Sequence, residues 1–182
     1  MKNNEKLTNR VVEPFSLSGK GQKESINIMF ICHGNICRSP IAEFVFKDMV
    51  EKAGLSNEFH IESRATHTDE IWNGVGSEVY PPAKKILAEH GISCEGKRAR
   101  LLTKKDYRDF DYIIGMDAEN ARYMPRITGG DPDGKISLLM DYTERPRSVA
   151  DPWYTGDFET TYADVLEGCK GFLGYLKTTG NI

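Results

Sequence analysis

Cys32 and Arg38 bracket a short loop in the run Ile28-Met29-Phe30-Ile31-Cys32-His33-Gly34-Asn35-Ile36-Cys37-Arg38-Ser39-Pro40. A cysteine attacks only as its thiolate, and the positive end of a helix dipole favours that negative charge. Successive backbone N–H groups at a strand-loop-helix junction also form a concave nest for an anion. An arginine adds two parallel N–H donors that match a pair of phosphate oxygens. Cys32, the loop residues His33, Gly34, Asn35, Ile36 and Cys37, and Arg38 therefore suit attack by sulfur on a phosphoryl group. Such attack yields a phosphocysteine, which divides one difficult hydrolysis into two easier steps. Gly34 and Asn35 are residue types that accept positive φ, as a loop wrapped around an anion requires. Ser39 is placed to cap the helix that Pro40 helps to open.

A second group of chemically capable residues is Asp151-Pro152-Trp153-Tyr154. When a phenolate leaves phosphorus it must gain a proton, and a carboxyl group can give that proton and later take one from water. By residue type alone, however, an Asp-Pro pair is usually just a turn. Trp72, Trp153 and Tyr154 lie in segments without helical periodicity. Stacked on an aryl phosphate they would form a slot deep enough for phosphotyrosine; the plainer alternative is core filling. Cys37 stands either as a packed thiol or as a partner that guards Cys32 through a reversible disulfide.

The stretch from Cys32 to Pro40, continued by Ile41-Ala42-Glu43, closely resembles the signature of the low-molecular-weight protein tyrosine phosphatases. The likeness recurs through Asp151-Pro152-Trp153-Tyr154 and spans roughly Ile26 to Lys177. It implies a three-layer α/β/α domain with a four-stranded parallel sheet of flavodoxin-like type. It implies further that Asp151 is the general acid and that Asn35 braces the loop with Ser63 as partner. By the same resemblance Ser39 donates to the Cys32 sulfur, Asp117 holds Arg38, and Trp72, Trp153 and Tyr154 surround the cleft mouth. The substrate implied is a tyrosine-phosphorylated protein or peptide, the product inorganic phosphate, with no cofactor and no metal. Relatives that hydrolyse phosphoarginine carry threonine where this chain has Ile36, which favours the tyrosine-type pocket. His33 departs from the apolar residue common beside the nucleophile, and Lys97 replaces a histidine of animal members, so that supporting contact is expected to be missing. Alternatives are phosphoarginine hydrolysis, a silent phosphotyrosine-binding module, and thiol-relay arsenate reduction. The last needs two more positioned cysteines, and seven residues after Cys94 the chain has Leu101.

The elements that must hold these residues follow from patterning. Ile26–Cys32 reads as a buried parallel strand, His60–Ala65 and Asp111–Met116 as two more, and Ile136–Leu139 as another. Arg98–Leu102 is a further short strand candidate. Helices are expected over Ser39–Ala53, from Pro81 to about His90, from Thr103 to near Phe110, from Asp117 to about Tyr123, and over Thr160–Leu176. Gly129–Gly134 reads as a turn. Alternating strands and helices indicate a doubly wound α/β domain, whose sites lie at the carboxyl ends of the strands. Cys32 ends the first strand, where that rule places a site.

The 182-residue chain carries a net charge of -3, against nucleic-acid or membrane-surface binding. Residues 1–25 are polar and lack the apolar stretch of a secretory signal. They are expected to form a disordered leader, an artificial extension or a short regulatory arm being the alternatives, before a single domain over 26–182. Four cysteines without a signal peptide fit free thiols in a reducing cytoplasm. No cysteine pair has zinc-like spacing and the four histidines are scattered along the chain. A weak homodimer is left open.

Overall fold

A computed structural model describes residues 25–182; the expected leader lies outside them, apart from Ser25. Strands β1 (Ile26–Cys32), β2 (Phe59–Ala65), β5 (Tyr112–Gly115) and β6 (Ile136–Leu138) form one parallel sheet in the order β2-β1-β5-β6. A separate two-stranded ribbon pairs β3 (Ile71–Trp72) with β4 (Val75–Gly76). The helices are α1 (Arg38–Lys52), α2 (Pro81–Glu89), α3 (Lys104–Asp109), α4 (Ala118–Thr128), α5 (Pro152–Thr155) and α6 (Phe158–Thr178). Side chains alternate across a strand, so β1 feeds two cores. Ile28 and Phe30 join α1 and α6 through Phe46 and Phe172, while Met29 and Ile31 join α3 and α4 through Tyr107 and Met124. The result is three layers. Because β2 and β5 lie on either side of β1, the chain reverses direction there and opens a crevice beyond the carboxyl end of β1.

Several boundaries differ from the sequence expectation for local reasons. Arg98–Leu102 is not a strand; it makes only isolated bridges, Ala65 with Leu101 and Glu78 with Arg98. The α4 helix continues past Tyr123 and through Pro125, then ends where Gly129 adopts φ 86°. Pro125 removes one N–H from the ladder without stopping it, and Thr128 Oγ1 donates to Met124 O at 3.0 Å in the last turn. The α6 helix begins at Phe158 because Asp157 caps it, accepting from Thr160 N at 2.9 Å. The β3–β4 ribbon was signalled by Asn73-Gly74, both at positive φ (48° and 77°), the pair that closes a tight hairpin. Gly76 is required there, because a Cβ would meet Ala99 O at 1.9 Å. Among the described residues no helix is long and apolar enough to cross a membrane.

Candidate active site

The loop between β1 and α1 is shaped by one residue in the left-handed region, Asn35 at φ 58°. Gly34 does not share that conformation; its smallness instead admits Glu70, whose Cγ would lie 3.2 Å from a Cβ. Asn35 is buried, and its side chain ties three segments together. Its Nδ2 donates to Ser39 Oγ and to Ser63 Oγ, both at 2.8 Å, and its Oδ1 accepts from Arg100 N at 3.0 Å. Ser39 is not the helix cap. Cys37 occupies that position without a side-chain bond, which frees Ser39 Oγ to lie 3.1 Å from Cys32 Sγ. Among the described residues, no backbone N–H of residues 33–38 is engaged in the hydrogen bonds of the turns and loops. Unspent donors around a sulfur are what an incoming phosphate needs.

Beneath this loop lies a network in which sequence reading named Ser63 and Lys97 but missed the carboxylate that joins them, Glu43. Ser63 Oγ donates to Glu43 Oε2 at 2.5 Å, and Lys97 Nζ reaches the same oxygen at 2.8 Å and Ser63 O at 3.1 Å. Lys47 Nζ holds the other Glu43 oxygen at 2.6 Å. The contact expected to be missing at Lys97 is therefore present, supplied by an ammonium in place of an imidazole. Burial lowers the Lys97 pKa, with Glu43 working against it. A signal for Glu43 existed in the sequence, since it stands four residues after Ser39 on the same face of α1.

Arg38 is 2% exposed, an unusual position for a guanidinium, and carboxylates explain it. Its Nη1 donates to Asp117 Oδ2 at 2.5 Å and to Val149 O at 3.0 Å, and its Nη2 donates to Asp151 Oδ2 at 3.1 Å. Burial alone would lower its pKa, but the Cys32 charge, the Asp117 bond and Asp151 together raise it. Of the five guanidinium N–H groups, Nε–H and one on Nη2 are left over for a phosphate. Asp117 also caps α4, accepting from Asn120 N at 2.8 Å. Asp151 caps the one-turn α5 by accepting from Trp153 N at 3.1 Å. The residue that makes the turn is thus also the carboxylate that meets Arg38.

Cys32, His33, Gly34, Ile36, Cys37, Arg38 and Asp151 line one cleft of about 360 Å³ with Asp69, Glu70, Glu119, Trp153 and Tyr154. Trp153 and Tyr154 stand 56% and 85% exposed, so neither fills the core. Trp72 is 73% exposed in the ribbon beside the Asn73-Gly74 turn and does not line the cleft; Asp69 and Glu70 take that side. Ile36 is buried, packing with Cys37, Ala99 and Tyr80. All four cysteines are free and buried. Burial pushes the Cys37 thiol up, and the neighbouring Cys32 charge pushes it further. Burial does the same to Cys94 and Cys169. These three are held as neutral thiols, unlike a residue that must attack.

Residues 27–181 match the family described as low molecular weight phosphotyrosine protein phosphatase. The low molecular weight protein-tyrosine-phosphatase YfkJ of Bacillus subtilis is 37% identical over 154 residues, covering 84% of this chain and 96% of that protein. The crystal structure of YfkJ matches with a TM-score of 0.80 at 36% identity, covering 88% of this chain and 98% of that one. A Drosophila arginine phosphatase matches with a TM-score of 0.72 at 30% identity, over 82% of this chain and 97% of that one.

Proposed function

We propose that this chain, which belongs to the low molecular weight phosphotyrosine protein phosphatase family, hydrolyses protein phosphotyrosine with Cys32, Arg38 and Asp151 as its catalytic residues. Its strongest support is the coincidence of three features in one cleft: a thiol beside the Ser39 hydroxyl, a guanidinium fork, and a carboxyl group bonded to that fork. The substrate phosphate takes the loop N–H groups and the free donors of Arg38, displacing the Asp151 contact. Cys32 sulfur attacks phosphorus, the P–O bond to the tyrosine oxygen breaks, and Asp151 delivers a proton to that oxygen. The Arg38 and loop donors stabilise charge on the equatorial oxygens in passage. Water then attacks the phosphocysteine while Asp151 takes its proton. The sulfur leaves as thiolate, stabilised by the Ser39 hydroxyl, and inorganic phosphate is released. No metal is asked for at any step.

Trp153 and Tyr154 supply the aromatic walls of the slot, and Trp72 stands farther out on the ribbon. Ile36 presents an apolar side chain where a phosphoarginine pocket would carry a hydroxyl. The likeness to an arginine phosphatase and the carboxylates of Asp69, Glu70 and Glu119 in the cleft keep phosphoarginine as the second reading. The buried thiols fit work on phosphoproteins in the cytoplasm.

The test is turnover of p-nitrophenyl phosphate, a phosphotyrosine peptide and phosphoarginine in EDTA, with Cys32→Ser as control. Hydrolysis of the two aryl esters, abolished by Cys32→Ser, is the expected result. Preference for phosphoarginine would move the assignment to the second reading, and no turnover of any substrate would refute both.

A further inference from the structure

Two histidines that are remote in the sequence meet at the rim of the cleft. Thr66 N donates to Cys32 O at 3.0 Å and His67 N to His33 O at 3.1 Å, which zips the loop after β2 to the phosphate loop. The two imidazoles stack, with centroids 4.0 Å apart and planes within 8°. Glu119, in the first turn of α4, approaches from a third element, its Oε2 3.9 Å from His33 Nδ1. One donor atom from each of His33, His67 and Glu119 lies within 4.8 Å of the others. The remaining ring nitrogens are already occupied. His33 Nε2 pairs with Asp69 Oδ2 at 2.6 Å, and His67 Nδ1 pairs with Thr66 Oγ1 at 2.8 Å. The Asp69 carboxylate accepts the Nε2 proton of His33 and leaves Nδ1 as a lone pair, as metal-binding imidazoles are held, and the Thr66 hydroxyl can accept the Nδ1 proton of His67 to the same effect.

We propose that His33 Nδ1, His67 Nε2 and a Glu119 carboxylate oxygen bind a zinc-like divalent cation over the mouth of the cleft. Two imidazoles and one carboxylate form a donor set that zinc accepts, with a fourth position open to water or phosphate. Bond lengths of about 2.0–2.2 Å require the three donors to draw closer than they now stand. A bound ion lies in the plane of each ring, so one imidazole must leave the stack. His67 is the ring that turns, because only Thr66 Oγ1 and the edge of Tyr123, at 4.6 Å, hold it. Glu119 is exposed and free to follow. An ion held there sits across the entrance and pins the residue next to Cys32, so it inhibits reversibly without joining the chemistry. The site stands whether or not the phosphotyrosine reading holds, since metal uptake is read directly.

Cys32 is the obvious competing ligand, and the experiment separates the two. Zn²⁺ is titrated against a chromogenic zinc indicator into the full chain, into Cys32→Ser, and into Cys32→Ser carrying His67→Ala or Glu119→Gln. The expected result is one equivalent bound by Cys32→Ser, weakened tenfold or more by each added substitution. A Co²⁺ spectrum of Cys32→Ser should show tetrahedral bands without thiolate charge transfer. In EDTA, His67→Ala should turn over p-nitrophenyl phosphate at the parent rate, and Zn²⁺ should inhibit it less. Loss of uptake in Cys32→Ser would place the metal on the nucleophile and overturn the proposal. Uptake unchanged by His67→Ala or by Glu119→Gln would overturn it equally.

Discussion

At the floor of the cleft Asn35, Ser39, Ser63 and Glu43 are buried and bonded to one another, whereas at the rim Trp153 and Tyr154 stand 56% and 85% exposed. The floor is polar yet dry. Each group there has a partner, because a buried polar atom without one would cost about 1–3 kcal/mol. The rim carries two exposed aromatics on a one-turn helix, together with His33 and the carboxylates of Asp69, Glu70 and Glu119. Chemistry needs atoms fixed to a fraction of an ångström, and the interlocked floor supplies that. Recognition tolerates movement, and the rim can change residues without disturbing the floor. Variants of the floor should therefore alter kcat or stability, and variants of the rim should alter KM.

Five substitutions sharpen or break that contrast. Arg38→Lys removes the planar fork while keeping a charge, so kcat/KM should fall at least a hundredfold, about 3 kcal/mol or more in the barrier. Near-parent turnover in a steady-state assay would show that charge alone suffices. Lys97→Met leaves Glu43 buried with Lys47 as its only cation, and breaking such a pair costs about 3 kcal/mol of stability. Urea unfolding should show the drop, and an unchanged midpoint would mean that the floor does not depend on this pair. Asp151→Asn keeps the cap on α5 but cannot supply a proton, so kcat should fall about a hundredfold on a phosphotyrosine peptide. The loss should be smaller on p-nitrophenyl phosphate, whose leaving group needs less help; equal losses would argue against a general acid. Tyr154→Ala should raise KM for aryl substrates about fivefold, a stacking loss near 1 kcal/mol, with no change in the melting temperature. Trp72→Ala, placed off the cleft, should change KM less than Tyr154→Ala does.

The loop was readable because its residues are neighbours in the chain: Cys32, Asn35, Arg38 and Ser39 fall within eight positions of one another. The strands Ile26–Cys32 and Tyr112–Gly115 were readable because both faces of each are covered, leaving apolar runs interrupted only by Asn27. Residues 98–102 misled because Ala99, Leu101 and Leu102 give the segment an apolar character, and it does run beside β2, yet it makes only the single bridges Ala65–Leu101 and Glu78–Arg98. Trp72 misled because an aromatic outside a helix is read as a wall, and only the Asn73-Gly74 turn decides where it stands. The Glu43–Lys97 pair was obscure for another reason. Lys97 was read as the loss of a histidine's contact, and nothing near it in the chain announces a buried carboxylate on a helix more than fifty residues away.

By itself the sequence determined the alternating α/β order and singled out Cys32 and its loop as the candidate nucleophile and anion cradle, because these depend on neighbours in the chain and on the periods of strand and helix. Tertiary structure decided which carboxylates meet Arg38, that Ser39 serves sulfur and leaves the helix cap to Cys37, that Asp69 and Glu70 replace Trp72 at the cleft wall, and that His33 lies on His67. Each of those depends on a contact between β1 or α1 and a segment dozens of residues distant. Such contacts are fixed by the register of a parallel sheet whose strands are joined by long crossovers, and no local pattern encodes that register.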